Sequence, residues 1–255
     1  MRHLTLTFTP TNGRLDGRYI TARGLHGLLF GLLQEVNQEE ASWLHTHPAP
    51  KPFSLVPLYT ETGTLAGLRL AAVTGRVAAL FSGAWEEAQA DGRPFHLGPQ
   101  AFTVSQVVAT PGPGFAALAA SRPARRLGLR FLSPTSFKQG PGSLPLPLPA
   151  NVFNWPFQVW QAFAPRELAL ADDWLAWVER NVFVVEHRIE TATVAISKQE
   201  QFTGFVGDVW FRAEGEITAA EPYLRIWQAL GDLATFCGVG HKTTMGMGAV
   251  EKMRG

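Results

Sequence analysis

The chain has 255 residues, 46% of them hydrophobic and 17% charged, with a net charge of +1. That is enough apolar material for one large core or two small ones and too much for disorder. A single cysteine, Cys237, excludes a disulfide framework and a multi-cysteine zinc site, and it suits a reducing cytoplasm. No apolar run is long enough to span a membrane.

In chain order, the opening MRHLTLTF alternates Leu4, Leu6 and Phe8 against threonines, which predicts a strand and not a signal peptide. Leu25, Leu28, Leu29, Leu32, Leu33 and Val36 fall on one helical face. That helix continues weakly through Glu39, Glu40 and Trp43 and stops near His47-Pro48, because Pro48, Pro50 and Pro52 forbid regular helix. Residues 52–60 and 64–73 predict a hairpin turning at Glu61-Thr62-Gly63, 77–90 a second helix, and 95–110 a strand-rich segment. The order is β-α-β-β-α-β, the ferredoxin-like unit.

A linker over 116–126 precedes a second round. Residues 127–132 predict a strand, 140–149 a proline-rich loop, and 151–163 and 167–180 helices. Residues 183–196 and 202–213 then predict strands, 223–237 a helix opened by Pro222, and 249–253 a last strand. The reading is thus an α+β chain of two tandem ferredoxin-like domains, 1–120 and 126–255.

Charge is unevenly spread. Between Asp91 and Glu167 there is no acidic residue, while Arg122, Arg125, Arg126, Arg130 and Lys138 lie in that interval. On one face they make a positive field that would grip RNA; scattered, they make an ordinary solvated surface. Six tryptophans (Trp155, Trp160, Trp174, Trp177, Trp210 and Trp227) invite base stacking, but at helical spacing they read as core.

The most informative segment is Gly238-Val239-Gly240-His241-Lys242-Thr243-Thr244-Met245-Gly246-Met247-Gly248, between a helix and a strand. Glycines let a ligand approach the backbone, and freed N–H groups beside Lys242, Thr243 and Thr244 suit phosphate oxygens. The spacing fits neither a P-loop nor a dinucleotide fingerprint, and both have a different element order. Of the histidines, His45-Thr46-His47 with Lys51 in the proline-rich loop is the best constellation for acid–base chemistry on a phosphate. His26 is the rival, on the rim of the first helix one turn before Phe30, and it reads equally as a structural side chain. His47 is a partner or substitute for His45. His-x-His without a third ligand makes a poor metal site. His3, His96 and His187 fall in predicted strands and read as surface or packing residues.

The segment FCGVGHKTTMGMGAVE resembles the glycine-rich loop of the CRISPR-associated endoribonuclease that cuts precursor CRISPR RNA within each repeat, the sixth Cas protein of the RAMP superfamily. FLSPTSF, GFVGDVWF, ARGLHGLLFGLL and SWLHTHPAPKPFSLVPL are similar to other parts of that family, so the resemblance spans nearly the whole chain. It implies tandem ferredoxin-like folds and metal-independent cleavage, with no cofactor, by 2′-hydroxyl attack, leaving a 2′,3′-cyclic phosphate and a 5′-hydroxyl. It also implies CRISPR repeat RNA as partner, with other Cas proteins of an effector complex and a homodimer as further partners. Within it, His45 is general base or acid, Lys51 serves the scissile phosphate, and His241 touches RNA backbone. Some members place a tyrosine where this chain has Phe30, which has no proton to give. That departure keeps open a second reading, a subunit that holds RNA without cutting it.

Overall fold

The computed structural model describes residues 1–215 and 217–253, with the backbone alone at 217–219. Two compact units form. The first is Met1–Gly112 with Val194–Phe202 and Thr244–Gly246; the second is Pro113–Thr193, Thr203–Thr243 and Met247–Gly255.

The first unit carries β1 (Arg2–Pro10), α1 (Ala22–Val36), α2 (Gln38–Thr46), β2 (Phe53–Tyr59), β3 (Leu65–Ala72), α3 (Gly75–Ala90), β4 (Phe95–Leu97) and β5 (Gln100–Pro111). The sheet order is β2-β3-β1-β5-β4, with β1 antiparallel to both β3 and β5. A central first strand flanked in this way is the ferredoxin-like topology, extended by the short β4 hairpin arm. The inward residues of β1 are Leu4, Leu6 and Phe8. They meet Leu25, Leu29 and Leu33 of α1 and Phe81 and Trp85 of α3 in one core.

The second unit carries α4 (Phe115–Ala119), β6 (Arg126–Thr135), β7 (Phe137–Gln139), β8 (Gly142–Leu144), α5 (Pro149–Phe163), α6 (Trp174–Asn181), β9 (Val182–Ala195), β10 (Gln201–Ala213), α7 (Ile217–Cys237) and β11 (Val250–Met253). The order β11-β6-β10-β9 repeats the same topology. Phe153, Trp174, Phe211 and Trp227 form its aromatic centre, with Phe153 edge-on to the other three. Among the described residues, no helix is long and apolar enough to cross a membrane.

Local differences from the sequence expectation have physical causes. The first helix does not fade into its continuation; it ends at Asn37, in an extended conformation, and a second helix starts there. The Asn37 side chain accepts the Glu40 N–H at 3.0 Å, the N-cap role that asparagine fills well. The expected linker holds the short helix α4, and the expected proline-rich loop begins with the β7–β8 hairpin. Only a 3-10 turn at Arg166–Leu168 and α6 form where a helix over 167–180 was expected. The last helix begins before Pro222, which lies inside it.

Candidate active site and glycine-rich loop

The first unit gathers two of the four candidate catalytic histidine and lysine side chains around a phenyl ring and ties a third to the backbone beside them. His26 lies in the second turn of α1 and Phe30 one turn on, while His45 is in the last turn of α2. The His26 and Phe30 ring centroids are 4.6 Å apart, Phe30 and His45 meet edge-on at 5.1 Å, and the two imidazoles lie 6.2 Å apart. Phe30 is buried and backed by Phe53, so it forms the floor under the pair. Residues that looked like rivals in sequence are neighbours in the fold.

Lys51 lies against the end of α2. Its ammonium donates to the carbonyls of Leu44 at 2.9 Å and His45 at 2.7 Å. It therefore caps the end of α2, where unpaired carbonyls and the helix dipole favour a cation. Spacing in the sequence gave no signal for this cap. Burial lowers the Lys51 pKa from its ordinary value. Burial also lowers the pKa of His26, with further lowering by the charges of His45 and Lys51. His47 turns aside: its ring sits edge-on to Trp43 at 5.5 Å, and its Nδ1 is 2.7 Å from the Pro48 carbonyl.

The loop from Gly238 to Gly248 joins α7 to β11. Gly238, Gly240, Gly246 and Gly248 all have positive φ, and so does Lys242 at +62°. At Gly240, a Cβ would stand 2.5 Å from the Ser136 carbonyl oxygen; at Gly248 it would stand 2.0 Å from that of Val239. Backbone therefore fills the space that glycine leaves. Several loop amides are committed internally as well. Val239 donates to Gly248, His241 to Ser136, Met247 to Lys242 and Gly248 to Pro134. Thr243 is buried against Gly238, whereas His241, Lys242 and Thr244 are half-exposed. Burial lowers the His241 pKa, followed by the charges of Lys242 and of Lys138 on β7.

The arginine run does not form one uncommitted patch. Arg125 donates to the Gly215 carbonyl. Arg126 pairs with Glu186 at 2.9 Å and lies over the Trp210 ring, and Arg130 forms a two-pronged pair with Asp208 at 2.7 and 3.0 Å. Acids from distant strands neutralise bases that looked isolated along the chain. Arg122 and Lys138 are exposed. Trp160, Trp174 and Trp227 are core. Among the described residues, no group of three or more His, Cys, Asp or Glu side chains is placed to hold a metal ion.

Two ferredoxin-like units in tandem are a fold shared with the structure described as a RAMP protein binding different RNA substrates, at a TM-score of 0.61 and 11% identity over the whole of both chains, a likeness of fold alone. The profile of the CRISPR-associated endoribonuclease Cas6 family matches residues 129–250. Thermus thermophilus Cas6 (TTHB231) in its product complex is 30% identical, with 99% of each chain covered and a TM-score of 0.81. Cas6 (TTHA0078) in its product complex is 26% identical over 99% of this chain and 100% of that one, with a TM-score of 0.78. No curated protein matches in sequence. The chain belongs to the Cas6 family of CRISPR-associated, repeat-processing endoribonucleases.

Proposed function

We propose that this endoribonuclease cuts its repeat RNA without a metal, using His26 and His45 as an acid–base pair on one phosphodiester. The observation that carries the reading is the pair of imidazoles 6.2 Å apart over Phe30. Burial and two neighbouring cations favour the neutral form of His26, which suits it to accept the 2′-hydroxyl proton. The 2′-oxygen bonds to phosphorus as the bond to the 5′-oxygen breaks, and His45, exposed at the end of α2, donates a proton to that leaving oxygen. The products are a 2′,3′-cyclic phosphate and a 5′-hydroxyl. Lys51 donates to the carbonyls of Leu44 and His45, one N–H to each, and adds positive charge beside the developing phosphorane. A proton-transfer pair of this kind has no need of the tyrosine that Phe30 replaces. His47, turned toward Trp43, is left outside the chemistry. Lys138, His241, Lys242, Thr244 and Arg122 supply the RNA-backbone contacts, and the loop glycines shape the turn that presents them. Other Cas proteins remain candidate partners of the product complex.

The test is to incubate the protein with its repeat RNA in EDTA, beside the same RNA carrying a 2′-deoxy at the cut site. Cleavage of the first with a cyclic-phosphate end, and survival of the second, is the expected result. Loss of cleavage in EDTA would overturn the metal-free reading, and binding without any cleavage would favour an RNA-holding subunit.

A further inference from the structure

α2 is nine residues long and buries only Ala41 and Leu44. A helix this short has little stability of its own, so its orientation depends on what grips its sides. At the helical spacing of residues, the buried stripe has two flanks. His45 lies on one, edge-on to Phe30 of α1. Glu40 and Trp43 lie on the other.

Arg76, in the first turn of α3, grips that second flank. It forms a two-pronged ion pair with Glu40, at 2.8 Å from Nε and 2.7 Å from Nη2. Its guanidinium carbon also stands 3.7 Å from the centroid of the Trp43 ring. A planar group paired through its edge and stacked through its face is fixed in orientation, which a lysine ammonium would not be. The helix that carries Arg76 gives it no reason to be there. A cation in the first turn is disfavoured by the dipole of α3, whereas Glu40, in the first turn of α2, is favoured by its own. The Asn37 cap holds the Glu40 N–H at the same end, so the clamp bears on a fixed point.

We infer that Arg76 is a positioning residue for the cleavage reaction. By clamping Glu40 and Trp43 it stops α2 from rolling about its axis and keeps the His45 imidazole against Phe30. The inference rests on the reading that His45 acts on the RNA; Arg76 works through α2 and not on the RNA itself.

The test uses the full chain and its repeat RNA under single-turnover conditions. Arg76→Met should lower cleavage about tenfold, the scale of a small misplacement of a catalytic group, with RNA affinity, its salt slope and the urea midpoint close to wild type. Arg76→Ala should regain about threefold in about 20 mM guanidinium chloride, which restores the planar fork, and nothing in the same concentration of sodium chloride. Glu40→Gln should match Arg76→Met, and the double variant should be no worse than either, because both break one clamp. In a His45→Ala background, Arg76→Met should cost nothing further. Full cleavage by Arg76→Met beside an impaired His45→Ala would overturn the clamp alone, and full cleavage by His45→Ala would overturn it together with the acid–base reading. Weaker RNA binding with a lower salt slope in Arg76→Met would put Arg76 on the RNA and overturn it. So would a loss that guanidinium does not relieve and that follows a fall in the urea midpoint, since the role would then be structural only.

Discussion

The Lys51 ammonium donates to the backbone carbonyl of His45 at 2.7 Å, six residues back along the chain. One side chain therefore closes the end of α2, fixes the histidine backbone and lowers the His26 pKa. Lys51→Met should lower single-turnover cleavage by about tenfold to a hundredfold, the scale of a small misplacement of a catalytic group. It should also move the acid limb of the pH–rate profile upward, since one of the charges holding the His26 pKa down is gone. A pH profile of the variant against the wild type checks both.

His26→Ala and His45→Ala should each cut the cleavage rate by about two to four orders of magnitude while leaving RNA affinity in place. The double variant should be little worse than either single one, because the two act as a unit. His47→Ala should stay close to wild type. Full activity in His26→Ala would remove it from the chemistry.

Acid should weaken the fold through the same histidine. Burial, and then the charges of His45 and Lys51, place the folded-state pKa of His26 below its ordinary value. As pH falls below about 6.5, the unfolded chain takes up a proton that the folded chain resists, so stability is complete above that point and declines below it. His241, lowered by burial and two lysines, acts in the same direction. The urea midpoint should fall between pH 8 and pH 5.5, and His26→Gln should flatten part of that slope.

Gly240→Ala and Gly248→Ala should each cost about 1–3 kcal/mol, since each combines positive φ with a backbone oxygen inside the Cβ radius. Gly83→Ala, on α3 with open space around it, should stabilise by about 0.5–1 kcal/mol. Denaturation curves of the three variants distinguish a packed loop from a merely flexible one.

Lys138→Ala and Lys242→Ala should weaken RNA binding evenly across sequences and reduce the salt slope by about one each. Titrations at several ionic strengths read this directly. An unchanged slope would take those lysines off the RNA backbone.

The sequence alone settled what local periodicity can carry. The alternation of Leu4, Leu6 and Phe8, the stripe from Leu25 to Val36 and the glycine-rich stretch after Cys237 are each written in consecutive residues. Two rounds of β-α-β-β-α-β follow from such runs, while the family was legible only as a resemblance carried chiefly by the glycine-rich segment. Its errors were at boundaries decided by single side chains, as where the Asn37 amide restarts a helix. What only the tertiary structure decided are relations between distant residues. His26 and His45 sit nineteen positions apart and meet because two helices cross at Phe30. Arg126 and Arg130 lose their isolation because the acids that neutralise them arrive on β9 and β10. The glycines of the loop are required by the carbonyls of Ser136 and Val239, whose approach no spacing rule records. Short-range order follows from the chain, while pairing, burial and the charge environment depend on which surfaces the fold brings together.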